Sequence, residues 1–524
     1  MCYSAEQSDN GTGTVVIIGG SIGGTVAAAA VAPLFERVII LERDDIDIVV
    51  ASLSRPQAEL NDMALDAQKH KSVGQMMMVH TLTPGGLHAF EDLLPGFTQD
   101  ATQQGAEQLD KNAILDDKIA IYMGPKRCAR WTSETYTVLP ASRALVERSA
   151  RLRLIKDFKN ITFRTKVSVE SNLFSKDGKF VTGVQVKGGE QISAALVIDT
   201  TGRKGLTAIS WLKERGYGSV RSVNIDPKLS YIIQHFQLSN EAMAKENRRR
   251  GLFIFPTHPH SRGITLQSIE GDIYTAGLIL MNKEKRVDTL EDFMDRVKSL
   301  PSQEPYEMLK DATPVGEIYA MHGAKGTTRR FFEEVTMPDG FIIMGDAICS
   351  LNPRFGQGMT VCAMQGQALR RELELQINRK GADMSKAVPR SAMQGFTNPF
   401  QKIAAAVLAW PYAVATGGDL EFPFTTGPRT KNPLRKMVRG YIGAARDLGY
   451  KDTKVAQALG ETTLLMQPPI ILFAPSMMRK VIPHSIKMLF ADGGLATRAF
   501  IIILLTGLLA MAATVLKSMI PSFA

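Results

Sequence analysis

The sequence predicts an α/β protein: a Rossmann-type domain with an interleaved β-rich domain, a helical C-terminal region and a C-terminal transmembrane helix. Three observations predict it. A β-branched run at residues 15–18 leads into a glycine turn at residues 19–24 and then an Ala-rich helical stretch. The same strand, turn and helix order recurs at residues 341–375, with strand-rich sequence between the two. Near the end, residues 499–516 are apolar and uncharged.

In order along the chain, residues 25–35 read as a helix and residues 37–41 as a second strand ending at Glu42, which completes a compact βαβ unit. Residues 44–71 are polar and irregular and read as an insertion. Residues 85–94 read as a helix and residues 142–155 as a basic amphipathic helix. Strands follow at 163–169, 180–186 and 196–199, the last running into Thr200, Thr201, Gly202 and Arg203. Residues 228–280 are strand-rich, enough for a second sheet. A buried strand at 341–344 enters Gly345 and Asp346, and residues 358–375 form a helix. From about residue 391 the pattern is helical. The expected domains are 14–210 and 336–395 for the two parts of the Rossmann domain, 211–335 for the substrate domain, 396–490 for a basic helical region and 499–516 for an anchor.

Hydrophobic residues make up 44% of the 524 and charged residues 22%, a folding composition rather than a disordered one. The four cysteines, Cys2, Cys128, Cys349 and Cys362, show neither CxxC nor zinc spacing and point to a reducing compartment. The net charge is +10, and residues 428–490 hold eleven Lys/Arg against three Asp/Glu. A basic face of that kind suits nucleic acid or an anionic membrane. The uncharged stretch that follows favours a membrane and excludes nucleic acid as the expected partner. At about 1.5 Å per residue it is ~27 Å long, close to the thickness of a bilayer core. Its bland alternative is a buried C-terminal helix. The anchored reading puts the catalytic body on the cytoplasmic side, at the endoplasmic reticulum in a eukaryote.

Two constellations carry chemistry. In the first, Gly19, Ser21 and Gly24 belong to a turn whose backbone N–H groups suit a pyrophosphate, and Glu42 stands where an acid accepts hydrogen bonds from a ribose. Ser21 occupies the position of the second glycine of GxGxxG. In the second, Asp346 ends a strand, and Pro353, Gly356, Gln357, Gly358 and Met359 form a turn that opens a helix. Such a turn offers N–H groups and positive dipole to a reduced flavin ring. Each alone also reads as an ordinary strand, turn and helix, with Asp346 a cap.

Together the two resemble class A FAD-dependent monooxygenases and the related squalene-epoxidase-like and polyketide-epoxidase-like enzymes, over roughly residues 15–427. GGSIGG with LERD is similar to that family's ADP-binding motif, DTTGRKG to its middle motif and GDAICSLNPRFGQGMTV to its ribityl-binding motif. The tract ATGGDLEFPFTTGPR, residues 415–429, resembles a bacterial branch of flavin oxygenases. The resemblance implies FAD as cofactor, with Arg43 beside Glu42, Arg143 at the FAD phosphates and Lys71 near the flavin. It also implies NADPH or NADH as electron donor, used directly or through an external reductase, and transfer of one oxygen from O2 through a flavin C4a-hydroperoxide. With a membrane anchor, the expected substrate is a lipophilic small molecule, a terpenoid or polyketide alkene, epoxidised or hydroxylated. Ser21, Lys71 in place of the usual Arg, and the insertion depart from the family's pattern.

Gln75, His80 and Pro353 are the candidate residues near the reacting atoms; Gln75 and His80 also read as satisfied polar residues near a loop. Met76, Met77 and Met78 read as core filling or as the lining of an apolar channel. No metal-ligand spacing is present. Three rivals share the fold: a halogenase, which the absence of a WxWxIP signature around Trp131, Trp211 or Trp410 disfavours; an isoprenoid flavin reductase or dehydrogenase; and a flavin-free lipid or prenyl carrier.

Overall fold

The computed structural model describes residues 13–46, 76–204, 207–239, 241, 249–324, 326–382 and 387–491. Its centre is a parallel five-stranded sheet in the order Phe341–Ile343, Leu196–Asp199, Thr14–Ile18, Arg37–Leu41, Ile161–Arg164. Near-continuous runs of Val, Ile and Leu build the inner strands, where both faces of the sheet are covered. Val15, Val16 and Ile17 are fully buried. One cover is the helix Ile22–Val31, packed against the long helix Gly358–Arg379. Alanines 27–30 and Gly366 permit the approach: a Cβ on Gly366 would meet the Val26 carbonyl at 3.2 Å. A small antiparallel sheet, Gln191–Ser193, Val181–Val186 and Val169–Phe174, packs its middle strand against Leu196–Asp199.

The second body is a seven-stranded sheet in the order Thr313–Ala324, Leu229–Gln237, Ile273–Leu280, Arg262–Ser268, Gly251–Phe255, Ile119–Met123, Lys126–Arg127. Neighbours are antiparallel except Gly251–Phe255 with Ile119–Met123, which are parallel. Side chains on one face, among them Ile232, Phe236 and Leu278, pack against Phe293 and Val297 of the helix Leu290–Lys298. The sheet therefore takes two strands from the segment 14–210 that the sequence reading gave wholly to the Rossmann domain. Run-by-run reading cannot see this pairing, because the partner strands lie more than 100 residues apart.

Helices Thr397–Asp419, Pro433–Leu448, Thr453–Thr463 and Pro475–Ala491 form the C-terminal region. The expected membrane anchor is corrected here. Among the described residues no helix is long and apolar enough to cross a membrane. The stretch 499–516 lies outside them, and the single-pass membrane localisation built on it is withdrawn.

The two bodies are pinned by Glu270, a buried carboxylate at the turn between two strands of the large sheet. It accepts the Ser142 N–H at 2.9 Å and the Ser142 hydroxyl. Ser142 in turn caps the helix Arg143–Asp157 by accepting the Leu145 N–H at 3.1 Å. Bonds to a charged group contribute about 1.5–3 kcal/mol. Glu270→Ala is expected to lower unfolding stability by about that much in urea titration; an unchanged midpoint would refute the role of this pin.

Candidate active site

The site lies where the parallel strands end. In an open parallel sheet the carboxyl ends form the natural ligand crevice. Thr14–Ile18 leads into Gly19, Arg37–Leu41 into Glu42, Leu196–Asp199 into Thr200, and Phe341–Ile343 into Gly345. The sequence thus delivers both constellations to one edge.

Gly19 has φ of +105°, a backbone region that L side chains rarely adopt, and a Cβ on Gly24 would stand 1.9 Å from the Gly19 carbonyl. Thr200 braces the turn, donating its hydroxyl to the Ile18 and Gly19 carbonyls at 2.8 and 3.2 Å. Glu42 is buried and accepts the Gly20 N–H at 2.7 Å and the Asp44 N–H at 2.9 Å. Arg43, one residue on, is exposed.

Beneath the turn lies a carboxylate that the sequence reading missed. Glu147, 1% exposed, accepts the Ser21 hydroxyl at 2.6 Å, Arg143 Nε at 2.7 Å and Arg151 Nη2. Arg143 also donates to Ser21 Oγ at 3.0 Å, and Arg151 to the Gly20 carbonyl at 3.3 Å. The charged side of this basic amphipathic helix is partly buried: Arg143, Glu147 and Arg151, spaced four apart, form a buried ionic ladder. That spacing was the available signal. Ser21 departs from the glycine pattern because its hydroxyl serves this ladder.

Asp346 follows Gly345, whose N–H donates to Gln365 Oε1 at 2.8 Å. Burial raises the Asp346 carboxyl above its ordinary value, while Arg203, Arg143 and Arg330 pull it back. Arg330 donates to the carbonyls of Asp346, Ala347 and Arg203, and Arg203 to Ser350 Oγ at 2.6 Å and the Gly326 carbonyl at 2.8 Å. The middle motif thus locks the loop that carries Asp346. Pro353 opens a short turn that ends at Gly356, φ +63°, and Gln357 donates to the Thr463 carbonyl at 2.8 Å. Among the described residues, a Cβ on Gly358 would meet only Asp346 Oδ1, at 3.8 Å, so none of them crowds the start of the long helix. Met359 is buried.

His80 belongs to the same site. Its Nδ1 lies 2.8 Å from the Met78 carbonyl, and Gln267 of the large sheet donates to the His80 carbonyl at 3.1 Å. Part of its surface remains open, yet burial, helped by the Arg143 charge, pushes its pKa down to about 3, so it is neutral at physiological pH. Met78 is core filling, packed with Tyr231, Ile279 and Met281. Cys349 is buried, and burial pushes its thiol up to about 12, which suits a small hydrophobe rather than a nucleophile. Lys71 and Gln75 lie outside the described residues.

The arrangement fits FAD. Glycine N–H groups, Glu42 and Arg143 stand at one end, and Asp346 with the open cradle before Gly358 at the other; Arg143 is near enough to influence both His80 and Asp346. Fold and site together define a Rossmann-type α/β protein whose central-sheet domain is split around a β-rich domain. Among solved structures this fold is shared with pqsL, a probable FAD-dependent monooxygenase from Pseudomonas aeruginosa (TM-score 0.53, 16% identity, 78% of this chain and 96% of that one). It is shared also with the flavin-dependent brominase Bmp2 (0.51, 16%, 84% and 94%) and the flavin-dependent halogenase CmlS (0.54, 17%, 83% and 71%). In sequence the chain is similar to Protein Rv3254 of Mycobacterium tuberculosis, 24% identical over 447 residues, 82% of this chain and 85% of that protein. No protein-family profile matches.

The His80 pKa fixes a pH signature. An unfolded histidine titrates near 6.5 and this one near 3. The stability carried by the neutral ring is complete above pH 6.5 and is lost as pH falls towards 3, because only the unfolded chain takes up the proton. His80→Gln is expected to flatten the decline of the urea midpoint across that window. A decline as steep as in the parent protein would show that the ring is not held neutral.

Proposed function

We propose that the chain is an FAD-dependent monooxygenase that inserts one oxygen atom from O2 into a lipophilic small molecule, by epoxidation of an alkene or by hydroxylation. The observation that carries this reading is the convergence of the Glu42 and Asp346 constellations on one sheet edge, with an open cradle before Gly358. In this reading the N–H groups of the Gly19–Gly24 turn hold the pyrophosphate, Glu42 the ribose and Asp346 the ribityl chain. Arg143, paired with Glu147, would meet the phosphates. The turn at Gly356, Gly358 and Met359 would offer its N–H groups to the ring edge, where a reduced flavin carries negative charge. Bound FAD would supply the electron transfer and the O2 activation. The overall balance is substrate, O2, NADPH or NADH and a proton giving oxygenated substrate, NADP+ or NAD+ and water; an external reductase is the alternative electron source.

The chain's own contribution is to bind, orient and exclude water. The terpenoid or polyketide-like substrate class rests on the resemblance to squalene-epoxidase-like and polyketide-epoxidase-like enzymes. Neutral His80 and Pro353 are the candidates nearest the reacting atoms, and Lys71, Gln75 and Arg43 retain the roles the family resemblance implies. A halogenase reading is favoured by the likeness to Bmp2 and CmlS and opposed by the missing tryptophan signature.

The visible spectrum of the purified protein tests the cofactor, and NADPH or NADH oxidation with O2 uptake on candidate lipids tests the reaction. A colourless protein that takes up no FAD would refute the reading. O2-independent turnover would favour an isoprenoid reductase, and halide-dependent product a halogenase.

Glu42→Ala and Asp346→Ala are each expected to weaken FAD by about one to two decades, the equivalent of roughly 1.5–3 kcal/mol for a bond to a charged acceptor. Gly358→Val places its side chain in the open cradle. It should leave the thermal midpoint of the apoprotein unchanged while abolishing flavin uptake, measured by fluorescence titration. Parent-like FAD affinity in all three variants would overturn the placement.

A further inference from the structure

The tract at residues 415–429 contains a carboxylate with no role in the site as described above. Asp419 ends the helix Thr397–Asp419 and is fully buried, and the Thr425 hydroxyl holds its backbone carbonyl at 2.7 Å. Both of its carboxylate oxygens accept Asn352 Nδ2 at 2.9 Å, and its Oδ1 lies 3.1 Å from Arg354 Nε. Arg354 is itself buried and donates Nη1 to the Pro256 carbonyl at 2.9 Å. Asn352 Oδ1 accepts the Arg354 N–H at 3.1 Å and the Tyr231 hydroxyl at 3.1 Å. Gly418 has no side chain because a Cβ there would stand 2.6 Å from Arg354 Nη2. The C-terminal region and the large sheet are thus fastened, through Asp419, to the short turn Pro353–Phe355 that leads into Gly356 and Gly358.

Arg354 is a cation two residues before Gly356, in a region where water does not screen it. Its only acidic partner among the described ion pairs is Asp419. We propose that Asp419 is a positioning residue: it holds the turn through Asn352 and cancels the Arg354 charge, so that the backbone N–H groups of the turn, rather than a full cation, set the field at the flavin ring edge. The inference rests on the flavin reading above. Removing one partner of a buried pair leaves an uncompensated charge, whereas replacing both leaves none.

The test compares Asp419→Asn with the double variant Asp419→Asn, Arg354→Gln in the full-length holoprotein. It reads the flavin reduction potential and the thermal midpoint. The single variant keeps the shape but frees the Arg354 charge. Its potential is expected to move to more positive values, since a nearby cation favours the reduced, negatively charged ring, and its midpoint to fall. The double variant is expected to return both towards the parent values. A single variant that fails to fold while the double variant folds also supports charge cancellation. A flavin-loaded single variant with the parent's potential overturns the proposal, as does a double variant that shifts as far as the single or fails to fold with it. If the parent protein binds no flavin, the flavin reading itself falls, and the field at the ring edge with it.

Discussion

The carboxylate of Glu147 joins the glycine turn to the helix Arg143–Asp157, and the geometry of that edge of the central sheet depends on it. It accepts the hydroxyl of Ser21 in the glycine turn and two guanidinium groups from its own helix. Without it, Arg143 and Arg151 would face each other as buried like charges beneath a helix N-terminus that is already positive. With it, Arg151 can reach the Gly20 carbonyl while Arg143 is turned towards the crevice. The turn, the helix and the anion site are therefore a single electrostatic unit rather than a loop resting on a scaffold.

The far end of the crevice follows the same logic with the signs exchanged. There a buried acid, Asp346, is surrounded by Arg203, Arg330 and Arg143. Arg330 spends its donors on the carbonyls of Asp346, Ala347 and Arg203, and Arg203 donates to the Gly326 carbonyl. Arg143 acts at both ends. The crevice at the strand ends is thus lined by charges that are individually costly to bury and collectively answered, an arrangement that favours one geometry over its neighbours.

What the sequence made visible was local. A strand followed by a glycine turn, or by an acid at its last position, reads the same way wherever it occurs, so the strand-end positions of Glu42 and Asp346 were legible without knowing what lay beside them. Glu147 was within reach, because its four-residue spacing to Arg143 and Arg151 is an ionic ladder in any helix. The helix carries many charges, and only its packing shows which of them are buried. Asp419 was not accessible in that way. Its partners lie more than 60 residues away in the chain, and nothing in ATGGDLEFP specifies them. The pairing of Ile119–Met123 with Gly251–Phe255 was hidden for the same reason: register between distant strands is a tertiary property.

That pairing has a consequence for how the protein comes into being. The central sheet is incomplete until Phe341–Ile343 arrives beside Leu196–Asp199, and the large sheet borrows two strands from a segment made long before the rest of it. Neither body is a continuous stretch of chain. On the ribosome, the strand Ile119–Met123 must wait for its neighbour with an edge exposed, and the nucleotide edge waits longer still. Such entangled topology means high contact order and slow closure of both sheets. The nascent chain therefore passes through a long interval in which apolar strands are available to other molecules, and its yield in a cell depends on what shields them during synthesis.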